Sequence, residues 1–378
     1  QIDAIVKNVA QEAAHHAEAL AKMAAEETGF GNWQDKVLKN RFASLRVYDA
    51  IKDMKTVGII HDDPLQKVMD VGVPLGVICA LVPSTNPTST VIYKTLIALK
   101  AGNAIIFSPH PGARQCSWKA IEIVKRAAEA AGAPAGSVDA ISQLTLEATS
   151  ELMHSKDVSL ILATGGEGMV RAAYASGTPT ISGGPGNGPA FIERSADIPH
   201  AVKDIITSKT FDNGVICASE QSVVVVDAAY DAVRERFASH GGYLLQGQEL
   251  KAVQGILLKN GALNAAIVGQ SAVNIAGMAG IAVPADTKIL IGEVRDIDDS
   301  EPFAHEKLSP TLAMYRAKDF ADAVEKAVKL VDMGGIGHTS CLYTDQDNQA
   351  DRVRLFGEKM KTARILINTP TSDRKSVV

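Results

Sequence analysis

The chain has 378 residues, a formal net charge of -5 at pH 7 and 46% hydrophobic residues, which is the composition of an ordinary globular protein. That length exceeds what one hydrophobic core usually supports, so we expect two domains. Acidic and basic residues are interspersed, which argues against a nucleic-acid-binding surface, and no apolar run approaches the roughly 18 residues that a membrane helix needs. We therefore expect neither nucleic acid nor a membrane as a partner.

Cysteine and histidine usage further limits the chemistry. The four cysteines, Cys79, Cys116, Cys217 and Cys341, lie far apart and form no C-x-x-C pair, which indicates a reducing compartment. With no signal peptide at the start of the chain, a cytoplasmic location is expected. The nine histidines show no metal-ligand spacing, so no metal site is predicted.

The first part of the chain predicts helices followed by a hairpin. Residues 1 to about 55 are alanine-rich with helical periodicity and are interrupted at Gly29-Phe30-Gly31, which predicts two or three helices. Residues 57–75 form two short alternating runs around an Asp62-Asp63-Pro64 turn, which predicts a projecting β-hairpin.

From residue 76 onward, strands and helices alternate. In the first half, the predicted strands are 76–83, 103–109, 137–141, 158–164 and 178–182, and the helices are 88–100, 114–131, 145–155 and 168–175. In the second half, the predicted strands are 189–194, 223–227, 265–268, 288–294 and 311–316, and the helices are 198–208, 229–238 and 319–331. Alternation at this spacing predicts a doubly wound parallel sheet, and hence the α/β fold class.

One segment, Lys209–Val226, carries the strongest candidate for a nucleophile. An Asn213-Gly214 turn signal precedes Cys217, and the run Val223–Val226 after it predicts a strand that is buried on both faces. A rigid strand can hold a neighbouring thiol in a cleft. A small buried hydrophobe is the alternative for any free cysteine.

Three turns follow predicted parallel strands, where open α/β sheets bind their ligands. They are Leu81–Pro87, Ser108–Pro111 and Thr164–Gly168, and the glycines of the third would let a helix N-terminus approach a phosphate. None of them is the G-x-G-x-x-G fingerprint, so an ordinary turn between strand and helix is the alternative.

Several motifs resemble those of the CoA-acylating aldehyde dehydrogenases, and above all the aldehyde dehydrogenase half of the bifunctional aldehyde-alcohol dehydrogenases. They are F-D-N-G-V-I-C-A-S-E-Q at 211–221, F-A-H-E-K-L-S-P at 303–310 and G-H-T at 337–339. The resemblance covers about residues 1–370 and implies the aldehyde dehydrogenase fold, with a Rossmann-like NAD-binding domain at 1–186 and an α/β catalytic domain at 187–370. It gives the hairpin 57–75 a role in oligomerisation and leaves the tail 371–378 without a role.

The resemblance also implies site residues. Cys217 is the nucleophile, Asn86 stabilises the oxyanion, and His338 lies on the cofactor or CoA side. The resemblance implies NAD as the cofactor and coenzyme A as the co-substrate. From the residues alone NADP is the alternative, because no acidic residue ends the second strand to repel a 2′-phosphate. The residues implied in cofactor binding are Leu81, Val82, Pro83, Ser84, Thr85, Asn86, Ser108, His110, Gly165, Gly166, Gly184, Glu306 and His338. From the residues alone, Asn86 is equally a turn residue, Glu306 a surface carboxylate and His338 a loop-stabilising side chain.

The implied reaction interconverts acetaldehyde, CoA and NAD with acetyl-CoA and NADH through a thioacyl-cysteine. The stretch Ile181–Gly188 lacks the glutamate with which hydrolytic relatives activate water, which favours release by CoA. Rival hypotheses are a hydrolytic aldehyde dehydrogenase, an acyl-phosphate reductase of the same fold, and a non-catalytic filament-forming assembly protein. A homo-oligomer is expected, or a filament within a bifunctional chain. No alcohol dehydrogenase activity is expected, because the iron-dependent half is absent from this sequence.

Overall fold

The structure is a computed structural model that describes residues 1–372. The chain divides into two units, of which the first runs from Gln1 to Gly184 and the second begins at Pro185. The expected domain boundary at residue 186 falls close to this division. Of the expected tail 371–378, residues 373–378 lie outside the described residues.

Helices open the first unit. They are α1 (Ile2–His15), α2 (Ala17–Thr28), α3 (Trp33–Arg41) and α4 (Val47–Ile51), with a π-helical turn Phe42–Arg46 between the last two. The predicted interruption is present, because Gly29 ends α2 in the left-handed region with a φ of 66°. Asn32 then begins α3, and its side chain accepts a hydrogen bond from the Asp35 N–H.

The predicted hairpin follows these helices. Strands β1 (Gly58–Asp63) and β2 (Val68–Gly72) pair antiparallel and form a sheet of their own. Large apolar side chains of both strands are about half exposed, among them Ile60 at 48%, Met69 at 50% and Val71 at 54%. The hairpin therefore carries apolar side chains that its own unit does not bury.

A five-stranded parallel sheet forms the rest of the first unit. Its elements are β3 (Val77–Val82), α5 (Pro87–Lys100), β4 (Ala104–Pro109), α6 (Arg114–Ala130), β5 (Val138–Ala140), α7 (Leu146–His154), β6 (Val158–Thr164), α8 (Glu167–Ala175) and β7 (Thr180–Gly183). The strand order is β5-β4-β3-β6-β7, and every pairing is parallel. The predicted doubly wound sheet is confirmed here.

The second unit contains a seven-stranded parallel sheet. The elements of this unit are β8 (Pro189–Ile192), α9 (Ile198–Thr210), β9 (Ser222–Val226), α10 (Asp227–Ser239), β10 (Gly242–Leu245), α11 (Gln248–Leu257), β11 (Leu258–Lys259), β12 (Ala262–Leu263), α12 (Ala272–Met278), β13 (Ile289–Glu293), β14 (Thr311–Ala317), α13 (Phe320–Asp332), β15 (Thr339–Tyr343), α14 (Ala350–Lys359) and β16 (Arg364–Ile367). Strands β11 and β12 pair antiparallel in a separate two-stranded sheet. The order of the seven-stranded sheet is β10-β13-β14-β9-β8-β15-β16. Strand β9 is buried along its whole length, as the valine run predicts.

One predicted strand is wrong. The sequence predicts a strand at 265–268, but Ala265–Ile267 form a 3-10 turn. The side chain of Asn264 accepts a hydrogen bond from the Ala266 N–H, and this local bond favours a turn over a sheet ladder. Among residues 1–372, no helix is both long and apolar enough to cross a membrane.

Candidate active site

Three predicted site residues of the second unit and one glycine precede four neighbouring strands. Glu306 comes before β14, Cys217 before β9, Gly186 before β8 and His338 before β15. These strands are consecutive in the sheet and parallel, so their amino ends meet at one edge. Residues far apart in the sequence therefore gather at that edge.

A tight turn delivers Cys217 to this edge. Asp212 and Asn213 both have a φ of 50°, and Gly214 follows at 73°. The Asn213 side chain donates a hydrogen bond to the Gly269 carbonyl, which ties the turn to the adjacent loop. A Cβ on Gly214 would lie 2.7 Å from the Ser309 carbonyl oxygen, so only glycine fits. The Asn-Gly signal in the sequence thus marks a backbone that this packing requires.

Cys217 differs from the other three cysteines in its exposure. Its side chain is partly exposed, whereas Cys79, Cys116 and Cys341 are buried. Burial raises the pKa of Cys79 to about 12 and also raises the pKa values of Cys116 and Cys341. Since the thiolate is the nucleophile, these three are poorly suited to the reaction. Cys217 is the cysteine that a substrate can reach.

Gly186 lies against the cysteine backbone. A Cβ at this position would lie 2.0 Å from the Cys217 carbonyl oxygen and 3.3 Å from Cε1 of His338. The first distance is impossible for two non-bonded heavy atoms, so only glycine permits this approach. The sequence-based site includes Gly184 and omits Gly186, although the G-P-G-N-G run at 184–188 was a signal of close backbone packing.

The Glu306 carboxylate lies beside the same glycine. Its Oε1 accepts a 2.8 Å hydrogen bond from the Gly186 N–H. The pKa of Glu306 is raised to about 8, first because its carboxyl group is removed from water and second because of the charge of the nearby Cys217 thiolate. The surface-loop alternative for Glu306 does not fit this environment.

His338 completes the group. Its Nδ1 lies 3.2 Å from the Thr339 hydroxyl, and its backbone N–H donates to the Gly335 carbonyl. Gly337, immediately before it, has a φ of 76°. The ring is partly exposed and borders Gly186, so His338 faces the same edge as Cys217.

Two further carboxylates, Glu167 and Glu220, are the nearest alternatives to the missing glutamate as a base for water. Glu167 is exposed on α8 and forms an ion pair with Arg171. Glu220 is fully buried, and its Oε1 accepts a 2.8 Å hydrogen bond from the Thr371 N–H. Within the second unit, the Glu220 carboxylate is therefore not presented to solvent near Cys217.

The first unit brings the three predicted turns together. They follow β3, β4 and β6, which are neighbours in the order β4-β3-β6, so all three lie at the carboxyl edge of its sheet. Gly166 precedes α8, and a Cβ there would meet no atom within 4 Å. Room therefore remains for a phosphate at that helix N-terminus.

The predicted cofactor residues of this edge differ in accessibility. Residues 83–86 and Gly165 are partly exposed and His110 is exposed. Leu81, Val82 and Ser108 are buried, and the Ser108 hydroxyl lies 2.8 Å from that of Thr149. These three residues can contribute to cofactor binding through backbone atoms or packing more readily than through side-chain contacts.

Asn86 has a partner that the sequence did not reveal. Its Oδ1 accepts a 2.7 Å hydrogen bond from Nζ of Lys39, which is 47 residues earlier. Its side chain makes no capping bond at the start of α5, so it is not an ordinary helix cap. The Asn86 amide NH₂ donates to the Thr85 hydroxyl at 3.2 Å, so Asn86 would have to share or exchange this hydrogen bond in order to donate to an oxyanion.

Lys94 is a second residue that the sequence did not reveal. It is fully buried, and its Nζ donates 2.7 Å hydrogen bonds to the carbonyl oxygens of Leu81 and Leu162. Those carbonyls belong to β3 and β6, so one side chain joins the ends of the strands that carry two of the turns. Burial lowers the pKa of Lys94 to about 7.

Known proteins resemble this chain over almost its whole length. The family model described as the aldehyde dehydrogenase family matches residues 1–378. The bifunctional aldehyde-alcohol dehydrogenase of Escherichia coli K12 is 64% identical over 372 residues, which are 98% of this chain and 42% of that protein. The chain thus spans less than half the length of this curated relative.

Two solved structures extend the comparison. An acetylating aldehyde dehydrogenase from Geobacillus thermoglucosidasius is 47% identical with a TM-score of 0.95, covering 98% of this chain and 81% of that one. A Rhodopseudomonas palustris propionaldehyde dehydrogenase with bound CoA and an acylated cysteine is 28% identical with a TM-score of 0.84, covering 98% and 84%. The resemblance predicted from the sequence motifs is confirmed.

Proposed function

This chain belongs to the aldehyde dehydrogenase family, and we propose that it is a CoA-acylating enzyme that interconverts acetaldehyde, CoA and NAD with acetyl-CoA and NADH. The observation that carries the proposal is the group at the amino edge of the second sheet, where Cys217 is partly exposed among Gly186, Glu306 and His338. The 64% identity to the bifunctional aldehyde-alcohol dehydrogenase of Escherichia coli supports an aldehyde as the substrate, and acetaldehyde and NAD are part of the proposal.

The residues present suit a nicotinamide dinucleotide. The open N-terminus of α8 at Gly166 offers unpaired N–H groups to the phosphates, and the neighbouring turns at Pro83–Asn86 and His110 supply further surface. In the second unit, the Glu306 carboxylate can accept hydrogen bonds from ribose hydroxyls. NAD, when bound, supplies the hydride acceptor of the reaction.

Carbon–sulfur bond formation begins the reaction. The Cys217 thiolate attacks the aldehyde carbon, and the carbonyl oxygen becomes an oxyanion. The Asn86 amide and the backbone N–H of Cys217 stabilise that charge, a contribution that is usually the largest electrostatic one in such chemistry. Loss of hydride from the same carbon leaves a thioester on Cys217.

CoA then releases the acyl group. Its thiolate attacks the thioester carbon, the bond to Cys217 breaks, and the Cys217 thiolate is regenerated. A thiol with a pKa of about 8.5 is a few per cent ionised near neutrality, whereas water needs a general base. The stretch 181–188 has no carboxylate, and the buried Glu220 carboxylate accepts a hydrogen bond from the Thr371 N–H, which favours release by CoA over release by water.

The assembled enzyme is a cytoplasmic homo-oligomer. The support is the hairpin β1–β2, where the half-exposed Ile60, Met69 and Val71 offer apolar area to a second copy. Sedimentation of the wild-type protein and of Val71→Asp tests this, since a charge at that interface should lower the oligomer mass.

The test of the activity is the nicotinamide absorbance change with acetaldehyde and CoA, measured with NAD and with NADP in turn. Reduction that requires acetaldehyde and is faster with NAD supports the proposal. No reduction with either cofactor would contradict it.

A further inference from the structure

One buried polar side chain beside the candidate site has no role in the chemistry above. Asn187 is 1% exposed and lies between Gly186 and the start of β8. Its Nδ2 donates hydrogen bonds to the carbonyl oxygens of Ala304 at 2.7 Å and of Leu330 at 3.0 Å. Asparagine is mostly found at the surface, so this burial calls for a physical reason.

The two acceptors fix the orientation of the Asn187 amide. A carbonyl oxygen can only accept hydrogen bonds, so the amide nitrogen and not the amide oxygen must face Ala304 and Leu330. The Oδ1 atom is then buried, and within residues 1–372 it accepts no hydrogen bond. A buried acceptor without a partner destabilises a fold, so the two donated hydrogen bonds have to offset that cost.

The first acceptor belongs to the loop that carries Glu306. Ala304 ends the 3-10 turn Pro302–Ala304, two residues before Glu306. The Glu306 carboxylate in turn accepts a hydrogen bond from the N–H of Gly186, the residue immediately before Asn187. Two adjacent residues therefore hold this loop at two points, one through a side-chain amide and the other through a backbone N–H.

The second acceptor belongs to the helix that leads to His338. Leu330 lies in the last turn of α13, and the chain continues through residues 334–337 to His338. Gly335 packs directly on Asn187, because a Cβ on that glycine would lie 3.0 Å from the Asn187 carbonyl oxygen. The Gly335 carbonyl accepts a 3.0 Å hydrogen bond from the His338 N–H. Asn187 therefore contacts the segment that determines where His338 lies.

The residues on either side of Asn187 contact the nucleophile segment. A Cβ on Gly186 would overlap the Cys217 carbonyl oxygen. On the other side, the Gly188 carbonyl accepts a 2.9 Å hydrogen bond from the Gln221 N–H, just before β9. Both neighbours of Asn187 are thus held against the backbone that carries Cys217, so a shift at Asn187 reaches the nucleophile as well.

We propose that Asn187 is a positioning residue, which holds the Glu306 loop and the His338 loop in place around Cys217 through its two amide hydrogen bonds. The inference rests on the proposed function, because Cys217 is taken as the nucleophile and Glu306 as the group that holds the cofactor ribose. Asn187 itself is buried and touches neither substrate nor cofactor. Its loss should therefore change both kcat and the KM for NAD through the residues that it places.

Two substitutions of Asn187 test this role. Asn187→Leu keeps the branched shape of the side chain and removes both donors, whereas Asn187→Ser retains one hydroxyl donor on a shorter side chain. Asn187→Leu should lower kcat by about 10²-fold, because displacement of the reacting groups by about 1 Å has such a cost. It should also raise the KM for NAD by about fivefold, because the displaced Glu306 loses a hydrogen bond to the ribose.

A matched control separates positioning from stability. Asn103 is a buried asparagine of the first unit, and its Oδ1 accepts hydrogen bonds of 2.6 Å and 3.0 Å from the Leu75 and Gly76 N–H groups. Asn103→Leu therefore also removes two hydrogen bonds between a buried amide and the backbone. It should lower the temperature of thermal unfolding, as Asn187→Leu should, but leave kcat and the KM for NAD unchanged.

Each outcome decides the inference. Wild-type kcat and KM in folded Asn187→Leu, or an equal loss of kcat in Asn103→Leu, would overturn it. If Asn187→Leu is unfolded at the assay temperature, Asn187→Ser decides: a fall in kcat of about tenfold supports the inference, and a wild-type kcat contradicts it. If the wild-type protein oxidises no aldehyde, the proposed function fails, and alkylation of Cys217 by iodoacetamide then decides. Loosened loops should make Cys217 react about tenfold faster in Asn187→Leu than in Asn103→Leu, and equal rates would contradict the inference.

Discussion

The two parallel sheets of this molecule use opposite edges for their sites. In the first unit, the candidate cofactor turns follow β3, β4 and β6 at the carboxyl edge, where open α/β sheets usually bind ligands. In the second unit, Cys217, Glu306 and His338 precede their strands and lie at the amino edge. The general rule for such sheets therefore finds the first site and misses the second.

The two edges also differ in how closely they are packed. At the first edge, a Cβ on Gly166 would meet open space, which suits the entry of a ligand. At the second edge, a Cβ on Gly186 would overlap the Cys217 carbonyl oxygen. One edge leaves room for a cofactor, whereas the other fixes reacting groups by tight backbone contact.

Loss of the nucleophile should have the largest effect. Cys217→Ala should abolish aldehyde oxidation and leave cofactor affinity nearly unchanged, because the first edge remains intact. Steady-state NADH formation and NADH binding measure the two quantities. Cys116→Ala is the matched control, since that buried thiol should be dispensable. Substantial turnover by Cys217→Ala would refute the covalent mechanism.

Substitutions of Gly186 and Gly166 test the difference in packing between the two edges. Gly186→Ala should lower kcat by more than about 10²-fold, because displacement of the nucleophile by about 1 Å has such a cost. Gly166→Ala should change kcat and cofactor KM far less, since its added methyl group has space. Equal effects of the two substitutions on kcat would contradict the difference in packing.

Substitution of the oxyanion donor should have a somewhat smaller effect. Asn86→Ala should lower kcat by about 10²-fold, as expected for one lost donor. Lys39→Met should lower it by about tenfold, because Asn86 keeps its amide but loses the hydrogen bond that orients it. Rate measurements at saturating substrate separate these effects from binding. An unchanged kcat in Asn86→Ala would contradict the oxyanion role and support a role of Asn86 in the turn alone.

The buried lysine of the first unit should have the smallest effect on rate. Lys94→Met leaves two carbonyl groups without their donor and should lower the free energy of unfolding by about 2 kcal/mol. The unfolded lysine titrates near 10.5 and the folded one near 7, so its contribution makes stability rise with pH between these values. Denaturant titrations at several pH values give the free energy of unfolding of each protein as a function of pH. Between about pH 7 and 10.5 this free energy should rise more steeply with pH for the wild type than for Lys94→Met. Equal slopes would show that Lys94 is charged when folded.

Much of this architecture follows from the order of residues. Alternating strands and helices predict a doubly wound parallel sheet and an α/β second half, and the run Val223–Val226 predicts the buried strand β9. The strand predicted at 265–268 is wrong because the hydrogen bond from the Ala266 N–H to the Asn264 side chain favours a turn in this short apolar stretch. Family motifs, and not spacing, directed attention to Glu306 and His338.

The residues that sequence reasoning missed share a physical cause. Lys39 meets Asn86 across 47 positions, and Lys94, Lys209 and Lys307 are buried although lysine usually lies at the surface. Lys94 and Lys307 donate to backbone carbonyls, which carry no residue-specific signal, whereas Lys39 and Lys209 donate to side-chain amides that are distant in the sequence. Only the three-dimensional arrangement of the strands brings such groups together.

In the proposed reaction, the acyl group on Cys217 is released by CoA and scarcely by water. The most direct test of this release is product analysis after incubation of the wild-type enzyme with acetaldehyde and NAD, with and without CoA. We expect acetyl-CoA and NADH in equal amounts when CoA is present, and at most one turnover per Cys217 when CoA is absent. Catalytic formation of acetate without CoA at a comparable rate would contradict this expectation and favour a hydrolytic enzyme.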